Sequence, residues 1–214
     1  MFKDFIDGVA VPEEYEMVSF DVISLFTNIS IQRINTVIDK KWTLLMKSTK
    51  LKKTFLKEFN FCLVDCNIFA YNNIVYRQKL GTPMGLSLSA VLASLVMDDL
   101  VKHVKCVMKR AKLEPLVFFK KYVDDTIVLA HRDEIDDILR ILNGYDPLIQ
   151  FTMEREVDKS IPFLDMKLHR DEGRILTDWF KKEYASGRIL DFLSSHSFNI
   201  KMNTAMGLIQ EFSN

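Results

Sequence analysis

Glycine, proline and cysteine are scarce in this chain of 214 residues, which contains 7 Gly, 5 Pro and 3 Cys. Little glycine and proline, with no low-complexity tract, argues against disorder, and a hydrophobic content of 48% can form a sizeable core. Three cysteines are too few, and odd in number, for a disulfide framework, and without paired histidines their spacing is not that of a zinc site. We therefore expect buried, reduced thiols in an intracellular protein.

Long apolar runs are also missing. The first residues contain no apolar core of the kind that signal peptides have. The longest uncharged stretch, residues 80–97, is interrupted by Gly, Pro, Thr and Ser. This stretch predicts a loop that leads into a buried helix rather than a membrane span.

Neither charge is in excess, since 29 basic and 29 acidic residues give a formal net charge of zero. Nucleic-acid-binding proteins are usually basic, so the balance counts mildly against one. The charges are nevertheless segregated. Basic residues without any acid occupy 40–57 and 101–112, whereas acids gather at 98–99, 133–137 and 154–158. This pattern allows a basic channel beside an acidic centre, although from charge alone two solvated helix faces are the simpler explanation.

Hydrophobic periodicity predicts alternating strands and helices. In chain order we expect a strand at 17–20, a helix capped by Ser30 with Lys-rich helical sequence to about 60, a hairpin around Asn72-Asn73, a long helix at 87–112, a hairpin at 117–130, a helix at 135–142 and a strand at 149–153. Without the Lys-rich insertion the order is βαββαβ, the split-βαβ pattern of a four-stranded antiparallel sheet backed by two helices. A hairpin with strands at 164–168 and 174–180 follows, and then weakly helical sequence.

Two adjacent acids, Asp124 and Asp125, stand in the turn of the second predicted hairpin. In a split-βαβ sheet the first strand lies beside this hairpin, so Asp21 would meet both. Three close carboxylates raise each other's pKa unless a cation is bound, and Mg²⁺ takes carboxylates together with substrate phosphates. The arrangement predicts nucleotidyl transfer with two metal ions about 3.5–4 Å apart. Taken singly, each acid also fits a structural role, since Asp favours turns and can cap a strand end.

Several motifs resemble those of reverse transcriptases in residue sequence and in order along the chain. Residues 122–125 (YVDD) resemble the fifth conserved block of that family, residues 20–28 (FDVISLFTN) the first palm block, and residues 78–89 (QKLGTPMGLSLS) the loop and helix that contact nucleotide and template. These motifs are most similar to those of Penelope-like retroelements. The segments FTME at 151–154 and IPFLD at 161–165 also resemble motifs of that group.

The resemblance implies a role for each residue of the acidic centre. Asp21 and Asp124 would bridge two Mg²⁺ ions, for which Mn²⁺ can substitute, and the backbone carbonyl of Val22 would be a further ligand. Asp125 would be the supporting acid. Phe26 falls at the position of the steric gate, where a large ring excludes a 2′-hydroxyl. A core phenylalanine is the alternative in a chain with 16 Phe.

The same resemblance assigns the substrate floor to Pro83, Met84 and Gly85. Gly85 would allow the backbone to approach the nucleotide closely. Many reverse transcriptases have Gln where Met84 stands, so this chain lacks that polar contact.

Contacts with nucleic acid are also implied. Phe163, Leu164 and Asp165 would form the hairpin that grips the primer end, with an ordinary β-hairpin as the alternative. Lysines of the fingers would contact template phosphates: Lys47, Lys50, Lys52 and Lys53. Lys159 is a candidate proton donor only because it is close to the corresponding block.

The implied fold class is α+β, a polymerase palm of the split-βαβ (ferredoxin-like) type with a partial fingers insertion and the start of a thumb. We expect residues 1–16 to be a remnant of the fingers, 17–160 the palm with its insertion at about 30–80, and 161–214 the primer-grip hairpin and the start of the thumb. Only 20 residues precede Asp21, which is too few for the first finger strands, so we expect a fragment.

The implied function is that of the RNA-directed DNA polymerase domain of a retroelement. Its partners would be an RNA template, a DNA primer and dNTPs, in the nucleus, with no membrane and no predicted protein partner. One alternative is a non-catalytic, nucleic-acid-binding remnant of such an enzyme. A weaker alternative is an RNA-dependent RNA polymerase, which Phe26 argues against.

Overall fold

The computed structural model describes residues 2–45, 68–83, 87–180, 190–191 and 193–212. The chain divides into two compact units, Met1–Asp178 and Trp179–Asn214. Helices and antiparallel sheets are mixed, so the expected α+β class is confirmed. In chain order the elements are α1 (Phe2–Ile6), β1 (Tyr15–Val22), α2 (Leu25–Asn28), α3 (Ile31–Leu45), β2 (Ile68–Tyr71), β3 (Ile74–Arg77), α4 (Ser87–Ala111), β4 (Phe118–Tyr122), β5 (Asp125–His131), α5 (Ile135–Asn143), β6 (Phe151–Arg155), β7 (Ser160–Phe163), β8 (Met166–Asp171), β9 (Arg174–Trp179) and α6 (Phe198–Phe212).

The central sheet has four strands in the order β4-β5-β1-β6, and its neighbours are antiparallel. Strand β1 pairs with β5 up to Phe20 opposite Thr126, and with β6 up to Val22 opposite Phe151. The end of β1 therefore lies next to the turn of the β4–β5 hairpin, the neighbourhood that the sequence predicted.

Both faces of this sheet contribute to a core. Alternate residues of β1 point to opposite faces. Val18 and Phe20 belong to the larger buried cluster, which also contains residues of α3, α4 and α5. Met17 points the other way, into a second cluster with Ile6 and with Ile161 of β7. We call these two sides the helix face and the open face of the sheet.

Local chemistry explains several element ends. The Ser30 hydroxyl accepts a hydrogen bond of 3.1 Å from the backbone N–H of Arg33, which confirms the predicted cap of α3. Asn72 and Asn73 have φ of 48° and 60°, as a two-residue hairpin requires. Lys112, with φ of 58°, follows the last residue of α4.

Three features of the fold differ from the sequence prediction. Helix α1 was not predicted. Cys106, on α4, is exposed, whereas the sequence predicted buried thiols. Strand β7 occupies residues where the sequence predicted only the approach to a hairpin, and Leu164 lies in the β7–β8 turn with φ of 55° instead of in a strand. Its alternation with Met166 and Leu168 suggested a strand, but the left-handed backbone breaks the pleat at that point. The Lys-rich helical sequence predicted beyond residue 45 lies outside the described residues.

Within the described part of the chain, no helix is both long enough and apolar enough to cross a membrane.

Candidate functional site

The β4–β5 hairpin turns at Val123 and Asp124, between the paired residues Tyr122 and Asp125. Val123 has φ of 55°, which is a strained backbone conformation for a β-branched residue. Asp124 therefore stands in the turn itself, whereas Asp125 opens strand β5.

Asp21 lies one residue before the end of β1 and is solvent-exposed. Partial burial raises the pKa of its carboxyl above 3.8, and repulsion from Asp124 raises this pKa further, while a hydrogen bond with the backbone of Val22 opposes the rise. Asp21 and Asp124 are thus close enough to be electrostatically coupled. Among the described residues, neither carboxylate forms an ion pair.

Asp125 shares a sheet face with Asp21, because Phe20 and Thr126 are directly paired and the next residue on each strand points the opposite way. Nevertheless, no group of three or more His, Cys, Asp or Glu close enough to hold a metal ion occurs in the part of the chain that the structure describes. The structure brings together a pair of carboxylates, and the predicted three-carboxylate site stays a prediction.

The donor chemistry of this pair suits a hard divalent cation. Carboxylate oxygens are the ligands that Mg²⁺ uses in proteins, and repulsion between Asp21 and Asp124 is what a bound cation would relieve. The side chain of Val22 is buried in the helix-face core, and the role of its backbone carbonyl as a metal ligand stays a prediction.

Phe26 is half-buried in α2 and packs against the helix-face core. Its backbone carbonyl accepts two hydrogen bonds from Thr82, one from the backbone N–H at 2.6 Å and one from Oγ1 at 3.1 Å. A Cβ on Gly81, whose φ is 74°, would lie 2.5 Å from both the Cα and the carbonyl oxygen of Thr27. The segment leading into the predicted nucleotide floor is therefore fixed against the backbone of Phe26.

Within the predicted floor, only the half-buried Pro83 belongs to the described residues, and Met84 and Gly85 lie outside them. Sequence reasoning assigned a close backbone approach to Gly85 and missed Gly81, where the structure shows one. Nothing in the local sequence predicts the positive φ of Gly81.

The predicted primer-grip hairpin has a buried and an exposed part. Phe163 is 5% exposed, and its ring centroid lies 5.4 Å from that of Phe2. Leu164 and Asp165 form the turn, with Asp165 exposed. A primer contact by this hairpin would therefore involve the turn rather than the ring of Phe163. Lys159 is exposed in the β6–β7 turn.

The four lysines assigned to template phosphates lie outside the described residues: Lys47, Lys50, Lys52 and Lys53.

Sequence reasoning also missed a polar cluster that ties helices together behind the sheet. The Nε of Arg33 lies 2.5 Å from Oδ2 of Asp146, which is 6% exposed, and the guanidinium carbon lies 4.6 Å from the ring centre of Tyr145. The hydroxyl of Tyr145 donates a hydrogen bond of 2.9 Å to Asp99. Burial and this carboxylate raise the pKa of Tyr145, so it remains a hydrogen-bond donor.

Comparison with protein families gives a match over most of the chain. The family described as "Reverse transcriptase (RNA-dependent DNA polymerase)" matches residues 9–151. A search of curated protein sequences gives no significant match.

Solved telomerase structures share the fold. Telomerase from Candida albicans, in complex with a TWJ fragment of telomeric RNA, has a TM-score of 0.60 and 14% identity, over 78% of this chain and 32% of that one. Apo telomerase from Candida tropicalis has a TM-score of 0.58 and 11% identity, over 78% of this chain and 33% of that one. At these identities the likeness concerns the fold alone, and this chain spans about a third of the length of those proteins.

Proposed function

Because the chain belongs to the reverse transcriptase (RNA-dependent DNA polymerase) family, whose members are nucleotidyltransferases, we propose that it is the RNA-directed DNA polymerase domain of a retroelement. The observation that carries the proposal is the coupling of Asp21 and Asp124 at adjoining ends of paired strands. The sequence motifs SLFTN, PMG and KYVDDT support a Penelope-like element. The match to this chain covers only about a third of the telomerase structures, which supports a piece of a longer polymerase.

In this proposal the four-stranded sheet is the polymerase palm of the split-βαβ type. Asp21, Asp124 and Asp125, with the carbonyl of Val22, would hold two Mg²⁺ ions, since reverse transcriptases generally use divalent metal ions. Such ions stabilise the attacking and leaving oxygens of a phosphoryl transfer.

The other residues would orient the substrates. Phe26 would exclude the 2′-hydroxyl of an rNTP. The hydrogen bond from Thr82 to the carbonyl of Phe26 would hold its backbone in place. Pro83 would begin the floor beneath the nucleotide, and the turn at Asp165 would meet the primer.

The test is extension of a DNA primer on an RNA template with dNTPs and Mg²⁺, by this chain and by a version that includes its flanking coding sequence. We expect extension by the parent and none above background by the Asp124→Asn variant. The matched control is Asp171→Asn, an exposed aspartate at the end of β8, which should leave the rate unchanged.

Other results would favour the alternatives. Extension by Asp124→Asn at the parental rate would overturn the assignment. A parent that binds RNA–DNA duplex with an affinity indifferent to Mg²⁺ and dNTP, and never extends a primer, would be a non-catalytic remnant. Efficient incorporation of rNTPs by the parent would indicate an RNA polymerase and contradict the gate at Phe26.

A further inference from the structure

A groove of about 390 Å³ lies between α3, α4 and β4. Four lysines line it, one from α3, two from α4 and one from β4: Lys41, Lys102, Lys105 and Lys121. Asp98 is the only acid among the described residues that line it. We call this feature the lysine groove. Its formal charge is strongly positive in a chain whose net charge is zero.

The positive charges of the lysine groove are crowded, and two of them, those of Lys41 and Lys121, are half-buried. Burial lowers the pKa of Lys41, and repulsion from Lys102 and Lys121 adds to this effect, against the attraction of Asp98 and Asp99. Asp98 forms an ion pair of 3.0 Å with Lys121. The ammonium group of Lys41 also donates a hydrogen bond of 2.9 Å to the carbonyl of Leu95. One carboxylate thus faces several ammonium groups, and a bound anion would relieve their repulsion.

The lysine groove also has an apolar surface, which a simple phosphate site would not need. Leu44, Leu95, Val101 and Phe119 line it beside the lysines. A nucleotide presents both features at once, a phosphate for the ammonium groups and a flat base for the apolar side chains. A peptide of acidic residues alone would match the charge but would leave the apolar surface uncovered.

The lysine groove and the carboxylate pair lie on opposite faces of the sheet. Phe119 packs into the helix-face core, and Lys121, two residues later on β4, points the same way. Asp21 follows Phe20, which belongs to that core, and so points to the open face. A nucleic-acid strand in the lysine groove is therefore not the primer end at the carboxylates.

We propose that the lysine groove binds a single-stranded segment of nucleic acid, through its phosphates and one base, outside the primer–template site. Within the proposed polymerase, this segment would be a part of the RNA that is not being copied. Only that biological role rests on the proposed function, because binding itself requires no catalysis.

The test compares two double variants with equal changes of charge on the same helix. Lys102→Glu with Lys105→Glu reverses two exposed lysines of the groove, and Lys109→Glu with Arg110→Glu reverses two exposed residues nearer the end of α4 that do not line it. The probe is a short fluorescein-labelled oligouridine, titrated by anisotropy over a series of salt concentrations without Mg²⁺ or dNTP.

We expect the groove variant to bind about tenfold more weakly at low salt, and the slope of log K against log salt to fall by about 1.4, which corresponds to two lost phosphate contacts on a single strand. The control variant should stay within about twofold of the parent. All four substituted side chains are exposed, so both variants should melt at the parental temperature.

Three results would overturn the inference. Equal losses in the two variants would indicate diffuse attraction to the whole helix, and no loss in the groove variant would mean that RNA binds elsewhere. Displacement of the oligouridine by polyglutamate as readily as by unlabelled RNA would indicate an acidic protein as the partner. Primer extension at low salt, measured on the groove variant and on Asp124→Asn, separates the two proposals. Loss of extension in Asp124→Asn but not in the groove variant concerns the polymerase and leaves the binding inference unaffected.

Discussion

At the scale of single residues, the approach of Gly81 to α2 leaves no room for a side chain. Gly81→Ala would add a Cβ 2.5 Å from backbone atoms of Thr27 to a residue with φ of 74°. We expect a loss of about 3 kcal/mol, the sum of a left-handed backbone cost of about 1–2 kcal/mol and the displacement of the neighbouring segment. Denaturant unfolding measures this loss.

Gly173→Ala is the matched control. Its φ is 73°, but a Cβ there would have nothing within 4 Å. It should therefore lose only the backbone contribution of about 1–2 kcal/mol. Equal losses at positions 81 and 173 would contradict the close approach.

The carboxyl of Asp21 predicts a dependence of stability on pH. Its folded-state pKa is raised above 3.8, so the folded chain holds this proton more tightly than the unfolded chain does. The stability that this group contributes is fully present below pH 3.8 and is lost as the pH rises through the raised pKa. Near neutral pH, Asp21→Asn should therefore increase the free energy of unfolding, by about 0.5 kcal/mol at most because the group is exposed.

Thermal unfolding of the parent and of Asp21→Asn at acidic and neutral pH provides the measurement. The difference should vanish at low pH and shrink with added salt. A variant that is less stable than the parent at neutral pH would show that Asp21 makes favourable contacts in the folded chain.

At the scale of elements, the polar cluster around Arg33 connects α3 to the segment after α5. Arg33→Met should cost about 3 kcal/mol, because it leaves the carboxylate of Asp146 buried without its cation. The control is Arg140→Met on α5, whose partner Asp137 is exposed, and which should change stability by about 0.5 kcal/mol or less. Similar small effects at both positions would mean that water reaches Asp146.

The elements that the sequence predicted well are those with a strong local signal, such as a turn or a helix cap. Asn72-Asn73 specifies its own turn, and Ser30 caps its own helix. Helix α1, with five residues, is too short to show a period. Leu164 continued an alternating pattern that only its positive φ interrupts, and nothing in its apolar side chain indicates a turn.

The candidate site was predictable to the extent that strand order determines it. The proximity of Asp21 and Asp124 follows from the pairing of β1 with β5, which the element order implied. The placement of a third carboxylate depends on side-chain geometry around a turn, which element order does not determine. The hydrogen bonds from Thr82 to the Phe26 carbonyl join residues 56 positions apart, and the ion pair of Arg33 with Asp146 joins residues 113 positions apart. No local sequence pattern indicates either contact.

At the scale of the whole molecule, the first compact unit ends at Asp178. A chain of residues 1–178 should unfold cooperatively, with a free energy within about 1 kcal/mol of the full chain. Circular dichroism during denaturant unfolding tests this expectation, which a broad, non-cooperative transition would contradict.

A chain of residues 1–159 is the matched comparison. It removes β7, β8 and β9 and with them four buried side chains of the open-face core: Ile161, Phe163, Leu168 and Ile175. Each contributes about 1.5–3 kcal/mol when buried, so their combined loss of about 6–12 kcal/mol is comparable to the whole stability of a typical domain, about 5–15 kcal/mol. We expect this shorter chain to lack a cooperative transition.

The left-handed backbone of Val123 has a consequence for how this gene changes over generations. Glycine or asparagine would adopt the same turn with less strain, so stability alone favours replacing this valine. Selection for stability alone would therefore replace Val123 in related genes, whereas a gene under no selection would accept any residue there. A valine that persists at this position among related genes would indicate a constraint other than stability.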